Sequence, residues 1–201
     1  TLTGYPCCFS NMHQGWPKFT QHLWYATPDN GIAAFSYSPS EVTAKVGNNV
    51  SVVISEDTYY PMDNRISFTI KEVKNKTKQV EFPLHLRIPK WCKRAEIIVN
   101  GKAEQYIEGG RIAVINRIWK RNDNVELHLP MEVSTSTWYE NAVTIERGPL
   151  VYALKIKENW KKENLNNSWY GPHYYQVTSS EPWNYGLVDF DRSQVNKIAQ
   201  V

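Results

Sequence analysis

The chain has 201 residues, 41% of them apolar, and is long enough to bury the core of a sizeable domain. Its 23 basic and 20 acidic residues are well mixed and leave a net charge of +3, which gives no strong field for nucleic acid or a membrane surface. No apolar stretch approaches the roughly 18 to 20 residues that cross a bilayer. Neither nucleic acid nor a membrane is therefore expected as a partner.

Two adjacent cysteines, Cys7 and Cys8, stand near the N-terminus and are followed by His13 and Trp16. Thiolates bind zinc at neutral pH because the metal stabilises the deprotonated form, and a thiolate is also a nucleophile. Vicinal cysteines rarely close a disulfide on each other, since the ring is strained. The residues alone leave two interpretations open: a reactive or metal-binding pair, or two small buried apolar side chains.

A short helix is predicted to begin near Pro17, because proline suits the first helical turn. Helical spacing then places four residues near one face: Phe19, His22, Leu23 and Ala26. Residues 27–31 have strong turn chemistry and are expected to end the helix. This turn is the predicted boundary between the N-terminal segment and a β-rich region.

From residue 31 the chain alternates short apolar–polar segments with turns. The predicted strands are 32–37, 42–46, 50–55, 66–73, 80–88, 95–99, 111–115, 125–129, 143–146 and 150–155. Asn100–Gly101 predicts a type I′ hairpin turn, because both positions favour positive φ. The pattern predicts a mainly β fold, an antiparallel β-sandwich of jelly-roll-like form, with a buried structural role for Cys92.

The region after residue 155 is polar and then crowded with aromatic residues. Flat aromatic faces stack on sugar rings, so a carbohydrate-binding module is a second functional class. Its platform would comprise Trp160, Trp169, Tyr174, Trp183 and Tyr185. The alternatives are that these residues pack against another domain, or that the sandwich only braces a catalytic domain.

Several motifs occur in a fixed order across residues 5–187. They are Cys7-Cys8, the stretch 82–92 (FPLHLRIPKWC), 99–101 (VNG), 117–120 (RIWK), 127–131 (LHLPM), 146–152 (ERGPLVY) and 182–187 (PWNYGL). In this order they resemble the β-L-arabinofuranosidases of glycoside hydrolase family 127, also known as the domain of unknown function 1680 family.

The resemblance implies an (α/α)6 catalytic barrel followed by β-sandwich domains, with zinc held by a glutamate and three cysteines. Cys7 matches the catalytic nucleophile and Cys7 and Cys8 match zinc ligands, whereas the remaining ligands and the acid/base carboxylate lie upstream in the family. His13 and Trp16 are candidate substrate-binding residues, although family members carry a proline-rich stretch and an arginine near them. The resemblance divides the chain into three parts. Residues 1–29 are expected to be the C-terminal end of the barrel, and residues 30–156 the sandwich. Residues 157–201 are expected to be an aromatic-rich segment that leads into further β structure.

The resemblance also implies partners and a location. A glycan substrate and the missing barrel of the same chain are the expected partners, and a homodimer is left open. Residues 1–10 lack the basic start and apolar stretch of a signal peptide. A periplasmic or extracellular parent protein would therefore carry its signal upstream. Without the acid and the other zinc ligands, this piece alone is expected to be inactive.

Overall fold

The computed structural model of the chain describes residues 11–163, 173–182 and 184–186. Over these residues it forms one helix, α1 (Gly15–Gln21), a 3₁₀ turn (Tyr139–Asn141) and fifteen strands. In chain order the strands are β1 (Trp24–Ala26), β2 (Ile32–Ala34), β3 (Ser40–Val46), β4 (Val50–Thr58), β5 (Arg65–Lys74), β6 (Gln79–Arg87), β7 (Arg94–Val99), β8 (Lys102–Glu108), β9 (Ile112–Lys120), β10 (Asn124–His128), β11 (Val133–Thr137), β12 (Val143–Arg147), β13 (Leu150–Val151), β14 (Asn159–Glu163) and β15 (Tyr174–Thr178).

Ten of these strands form the two main sheets. The four-stranded sheet has the order β1-β2-β6-β9, and the six-stranded sheet has the order β3-β4-β5-β10-β7-β8. All neighbours pair antiparallel except β2 and β6, which are parallel with Ala33 opposite His85. The predicted mainly β fold with antiparallel sheets is confirmed, with this one parallel pair as the difference.

The hydrophobic core lies between the inner faces of the two main sheets. In the longer central strands β4, β6, β9 and β10, alternate residues point inward, which is the period of two that a half-buried strand requires. The largest fully buried side chains are Trp119, Phe68 and Phe82, and the Trp119 indole N–H donates to the Phe82 carbonyl at 2.9 Å. Cys92 is fully buried, and burial raises the pKa of its thiol, as expected for a structural rather than reactive cysteine.

The Asn100–Gly101 turn is confirmed as a type I′ hairpin. Both residues have positive φ, 49° and 79°, and the flanking residues Val99 and Lys102 pair directly. Asn100 also ties the turn to the neighbouring strand, because its side chain donates to Asp123 at 3.0 Å. The turn therefore sets the β7–β8 register, as its sequence predicts.

The predicted N-terminal helix is partly wrong. The helix covers Gly15–Gln21 and buries none of its residues, whereas Trp24–Ala26 is a strand that pairs with β2. Leu23 is buried, but it lies between the helix and β1. Pairing with β2 overrides the local helical spacing here. Within the described ranges, no helix is long and apolar enough to span a membrane.

Two smaller sheets follow the sandwich: β11-β12-β13 and the β14–β15 hairpin. The hairpin is exposed on both faces. Its register pairs Trp160 with Val177 and Glu163 with Tyr174, so Trp160 and Tyr174 lie on opposite faces. These two residues of the predicted aromatic platform cannot form one flat surface; Tyr185 is exposed, and Trp169 and Trp183 lie outside the described residues.

The β11–β12 turn places Glu140 in the left-handed region, with φ 52° and ψ 35°. Asn141 is also left-handed, and the Ala142 N–H closes the turn on the Tyr139 carbonyl at 3.1 Å. Glutamate is strained in this conformation, whereas asparagine adopts it readily. We expect Glu140→Asn to raise the free energy of unfolding by about 0.5–1 kcal/mol, measured by urea denaturation. Glu140→Ala is the control: it removes the same charge without favouring positive φ, and an equal gain from it would contradict the strain argument.

Candidate functional site

Cys7 and Cys8, the predicted catalytic and metal-binding pair, lie outside the described residues. Their roles as nucleophile and zinc ligands stay predictions. The described ranges contain no group of three or more histidine, cysteine or acidic side chains arranged to hold a metal ion. The thiols fit zinc's preference for sulfur ligands, but two of them do not complete a tetrahedral site. The remaining ligands would have to come from outside the described ranges.

His13 and Trp16 lie on an exposed segment at the N-terminal side of the sandwich. His13 is in a turn just before α1, and Trp16 is in α1 with 76% of its surface exposed. The Trp16 ring meets the edge of Phe19, with 6.5 Å between ring centroids. An exposed indole on a helix that buries none of its residues is available to a ligand or to another domain.

The outer face of the four-stranded sheet combines apolar and polar side chains. Four large apolar side chains at one end of it are more than a third exposed: Tyr25 of β1, Phe35 directly after β2, and Ile112 and Val114 of β9. They form the outer apolar face, in which the Tyr25 and Phe35 rings meet edge to face at 5.6 Å. Exposed apolar side chains grouped in this way mark an interaction site.

β6 lies between the aromatic and aliphatic parts of this face and presents a hydrogen-bonded pair there, His85 with Asp29. The Asp29 carboxylate is 3.0 Å from His85 Nε2 and also accepts a hydrogen bond from the Thr27 hydroxyl. The Thr27 hydrogen bond lowers the pKa of Asp29, and the charge and hydrogen bond of His85 lower it further. The carboxylate therefore stays ionised and holds His85, which is opposite both Ala33 and Val114, in a fixed orientation.

The outer face of the six-stranded sheet is mostly polar. Thr43, Ser55, Ser67 and Thr69 point outward from β3, β4 and β5. On β10 and β7, His128 lies 3.2 Å from Glu126 and 3.8 Å from Glu96. Val53, Ile98 and Tyr106 also lie on this face, but each is opposite a polar residue, Thr43, Glu126 and Glu96 respectively. These apolar side chains are therefore separated from one another, whereas Tyr25 and Phe35 on the other sheet are in contact.

A buried carboxyl group, Glu56, was missed by the sequence analysis. It is only 3% exposed and points into one end of the core from β4. Its oxygens accept hydrogen bonds from the Ser38 N–H at 2.9 Å and the Ser40 hydroxyl at 3.4 Å. Burial raises its pKa to about 8, despite these two bonds, which favour the charged form. The sequence contains one signal for this burial. Every second residue of a strand points inward, so the inward position that follows Val52 and Ile54 is Glu56.

The fold and the two outer faces define a mainly β, sandwich-like domain with one group of exposed apolar side chains on its surface. The chain belongs to glycoside hydrolase family 127: residues 31–131 match the family profile described as the beta-L-arabinofuranosidase, GH127 middle domain. The matched stretch contains β2 to β10, which make up most of both main sheets.

Solved structures of the same family share this fold. A GH127 beta-L-arabinofuranosidase from Geobacillus stearothermophilus T6 matches with a TM-score of 0.64 and 24% identity, over 90% of this chain and 32% of that chain. A structure described as a glycoside hydrolase matches with a TM-score of 0.65 and 26% identity, over 90% and 34%. A GH127 beta-arabinofuranosidase matches with a TM-score of 0.62 and 17% identity, over 85% and 34%.

The chain therefore spans about a third of the length of these structures. No curated protein matches the chain. The recognition of family 127 from the motif order is confirmed, and the chain is homologous to β-L-arabinofuranosidase domains.

Proposed function

We propose that this chain is part of a β-L-arabinofuranosidase-like glycoside hydrolase, in which the sandwich packs against a catalytic domain through the outer apolar face. The observation that carries this proposal is the contrast between the two main sheets. Tyr25, Phe35, Ile112 and Val114 are grouped at one end of the outer face of the four-stranded sheet, whereas the apolar side chains on the outer face of the six-stranded sheet are separated by polar ones. Covering half-exposed side chains of this size stabilises an interface by on the order of 1 kcal/mol each.

The position of α1 supports the same arrangement. The helix leads directly into β1, an edge strand of the four-stranded sheet, and Tyr25 of β1 belongs to the outer apolar face. The His22 and Tyr25 rings lie 5.9 Å apart, so the segment after α1 is continuous with this face. In the proposal the catalytic barrel covers the face, and α1 with residues before it belongs to the barrel's end.

The catalytic chemistry is proposed from the family resemblance. Cys7 attacks the anomeric carbon, Cys7 and Cys8 ligate zinc, and an acid outside this chain protonates the leaving oxygen. When bound, zinc supplies stabilisation of a thiolate at neutral pH. His13 and Trp16 would contact the substrate, a plant-type glycan, and the parent protein would act in the periplasm or outside the cell. We include a homodimer in the proposal, and the mass of the parent protein in solution is the measurement that tests it.

The test uses the longer parent protein and this 201-residue chain side by side. We expect the parent to hydrolyse an aryl β-L-arabinofuranoside and to contain about one zinc per chain, as one zinc site requires. The Cys7→Ala, Cys8→Ala double variant should lose both. The 201-residue chain should show no hydrolysis. Cys92→Ala is the matched control, because this buried thiol lies in the sandwich and its loss should leave the parent's zinc content unchanged.

Two outcomes would contradict the proposal. A parent without zinc would exclude the thiolate–zinc site, and hydrolysis by the 201-residue chain that Cys7→Ala abolishes would show that the catalytic acid is not missing. The bracing role has a separate readout: Val114→Lys places a charge on the outer apolar face and should lower the parent's thermal midpoint more than it lowers that of the 201-residue chain. Thr43→Lys on the polar face is its control.

A carbohydrate-binding role is the second candidate. Trp160, Tyr175 and Val177 share one face of the β14–β15 hairpin, and the two rings meet at 5.7 Å. An isolated two-stranded hairpin is marginal in water, so this face is expected to contact either a glycan or another part of the parent protein. Retardation of the chain in gels containing soluble glycan, lost in Trp160→Ala, would favour glycan binding.

A further inference from the structure

A polar groove lies beside the outer apolar face, at the ends of two β-turns. The β3–β4 turn forms one wall and the β5–β6 turn the other, and the first half of β6 with Asn116 of β9 forms the floor. The groove encloses about 580 Å³. Its polar lining consists of Asp29, Asn48, Asn75, Gln79, Glu81 and Asn116. Amide and carboxylate groups therefore line the groove, and none of the residues that line it is basic.

The sequence builds this groove through a glycine at the β3–β4 turn. Gly47 has φ 54°, and a Cβ there would lie 2.5 Å from the Glu81 carbonyl oxygen. Only glycine therefore lets the turn approach β6 this closely. The Gly47 N–H donates to the Asn30 carbonyl at 2.7 Å and holds the wall in place. The groove is a fixed feature of the backbone rather than a chance gap between side chains.

The opposite wall is fixed by side chains of the β5–β6 turn. Asn75 Nδ2 donates to the Gln79 carbonyl at 2.7 Å, and the Thr77 hydroxyl donates to the same carbonyl at 3.2 Å. Both walls are therefore held by hydrogen bonds to backbone carbonyls.

We propose that this groove binds a neutral glycan, as a site separate from the catalytic centre. Adjacent sugar hydroxyls donate and accept hydrogen bonds, and the exposed amides of Asn48 and Asn116 offer both functions in the same way. The volume falls within the roughly 300–1,000 Å³ of small-molecule pockets, and a single ion would fill little of it. Glu81 repels acidic sugars, since none of the residues that line the groove is basic. This proposal rests on the proposed function, which gives the reason to expect a glycan. It adds the class of sugar that this chain would bind, namely a neutral one.

The test is titration of the 201-residue chain with neutral oligosaccharides. The probes are the hexaoses of α-1,5-linked arabinan, xylan and β-1,4-galactan, with hexagalacturonic acid as the acidic comparison, and binding is followed by calorimetry. We expect saturable binding of at least one neutral hexaose and none of the acidic one. Asn116→Ala should raise the dissociation constant at least about tenfold. Asn64→Ala, an equally exposed asparagine in the β4–β5 loop, should leave it unchanged.

Binding of no neutral hexaose, preferential binding of the acidic one, or equal affinity in Asn116→Ala would each overturn the proposal. Thermal unfolding of both variants checks that the fold is intact; if Asn116→Ala unfolds, Asn48→Ala takes its place, with the same expected loss of affinity and the same control, Asn64→Ala. Failure here is distinguishable from failure of the proposed function. Hydrolysis of a small aryl β-L-arabinofuranoside by the parent does not need this groove, so Asn116→Ala should leave that activity unchanged whichever way the titration falls.

Discussion

Replacing Glu56 with glutamine will abolish most of the fall in stability that the wild-type chain undergoes between pH 5 and pH 8. The folded carboxyl group has a pKa of about 8, against an ordinary value of 4.5. Between these values the folded state keeps a proton that the unfolded state releases, so the free energy of unfolding decreases as pH rises through this window. A shift of this size corresponds to several kcal/mol, on the order of 4.

The burial of Glu56 causes this effect, and its neighbours explain why the amide is tolerated. Glutamine keeps an oxygen for the Ser38 N–H, and its nitrogen faces the Ser40 hydroxyl, which already accepts from the Trp24 indole at 3.0 Å. The amide is neutral at every pH, so no proton has to be released. We therefore expect near-equal stabilities at pH 5 and a variant more stable by several kcal/mol at pH 9.

Urea denaturation of both proteins at intervals between pH 4.5 and pH 9 measures this difference. All titratable groups other than residue 56 are common to both chains, so their contributions cancel in the comparison. Glu41→Gln on the neighbouring strand β3 is the control, because that carboxyl group is exposed and its removal should leave the pH dependence as in wild type. Parallel stability curves for wild type and Glu56→Gln would show that Glu56 is ionised in the folded state.

Glu56 also illustrates how far the sequence determines the fold. Val52, Ile54, Glu56 and Thr58 of its strand all lie on the inner face. The sequence therefore indicated which residues point inward, but it did not indicate that a carboxyl group would be fully buried there. The sequence predicted β3 to β7, β9 and β10 because apolar and polar residues alternate regularly along these strands. Asn100–Gly101 was predictable because few residues adopt positive φ.

The elements that the sequence did not predict depend on distant partners. β1 has helical spacing and becomes a strand only because Ala34 and Ala33 are available for pairing. β8 is an exposed edge strand whose inner and outer residues differ little in polarity. The parallel β2–β6 pair joins segments about 50 residues apart, and no local pattern encodes such a choice. The outer apolar face has the same origin, because Tyr25 and Val114 come to lie on one surface only when all four strands are paired in order.

Replacing Trp119 with alanine is expected to be the most destabilising single change in the sandwich. The indole is fully buried, packs on Phe82 at 5.8 Å between ring centroids and lies under the Arg117 guanidinium at 5.4 Å. Its removal leaves a large cavity between the sheets and withdraws the donor from the Phe82 carbonyl. Such truncations cost about 3–5 kcal/mol, a large part of the total stability of an ordinary domain.

A graded series separates packing from hydrogen bonding at this site. Trp119→Phe keeps an aromatic ring but not the indole N–H, so it should lose about 1–3 kcal/mol and fall between wild type and Trp119→Ala. Trp16→Ala removes an indole that is 76% exposed and should change the free energy of unfolding by less than about 0.5 kcal/mol. Equal losses for Trp16→Ala and Trp119→Ala in guanidinium denaturation would contradict a core centred on Trp119. A Trp119→Ala chain that fails to fold altogether would agree with it, and Trp119→Phe then supplies the measurable value, because it fills most of the same space between β6 and the six-stranded sheet.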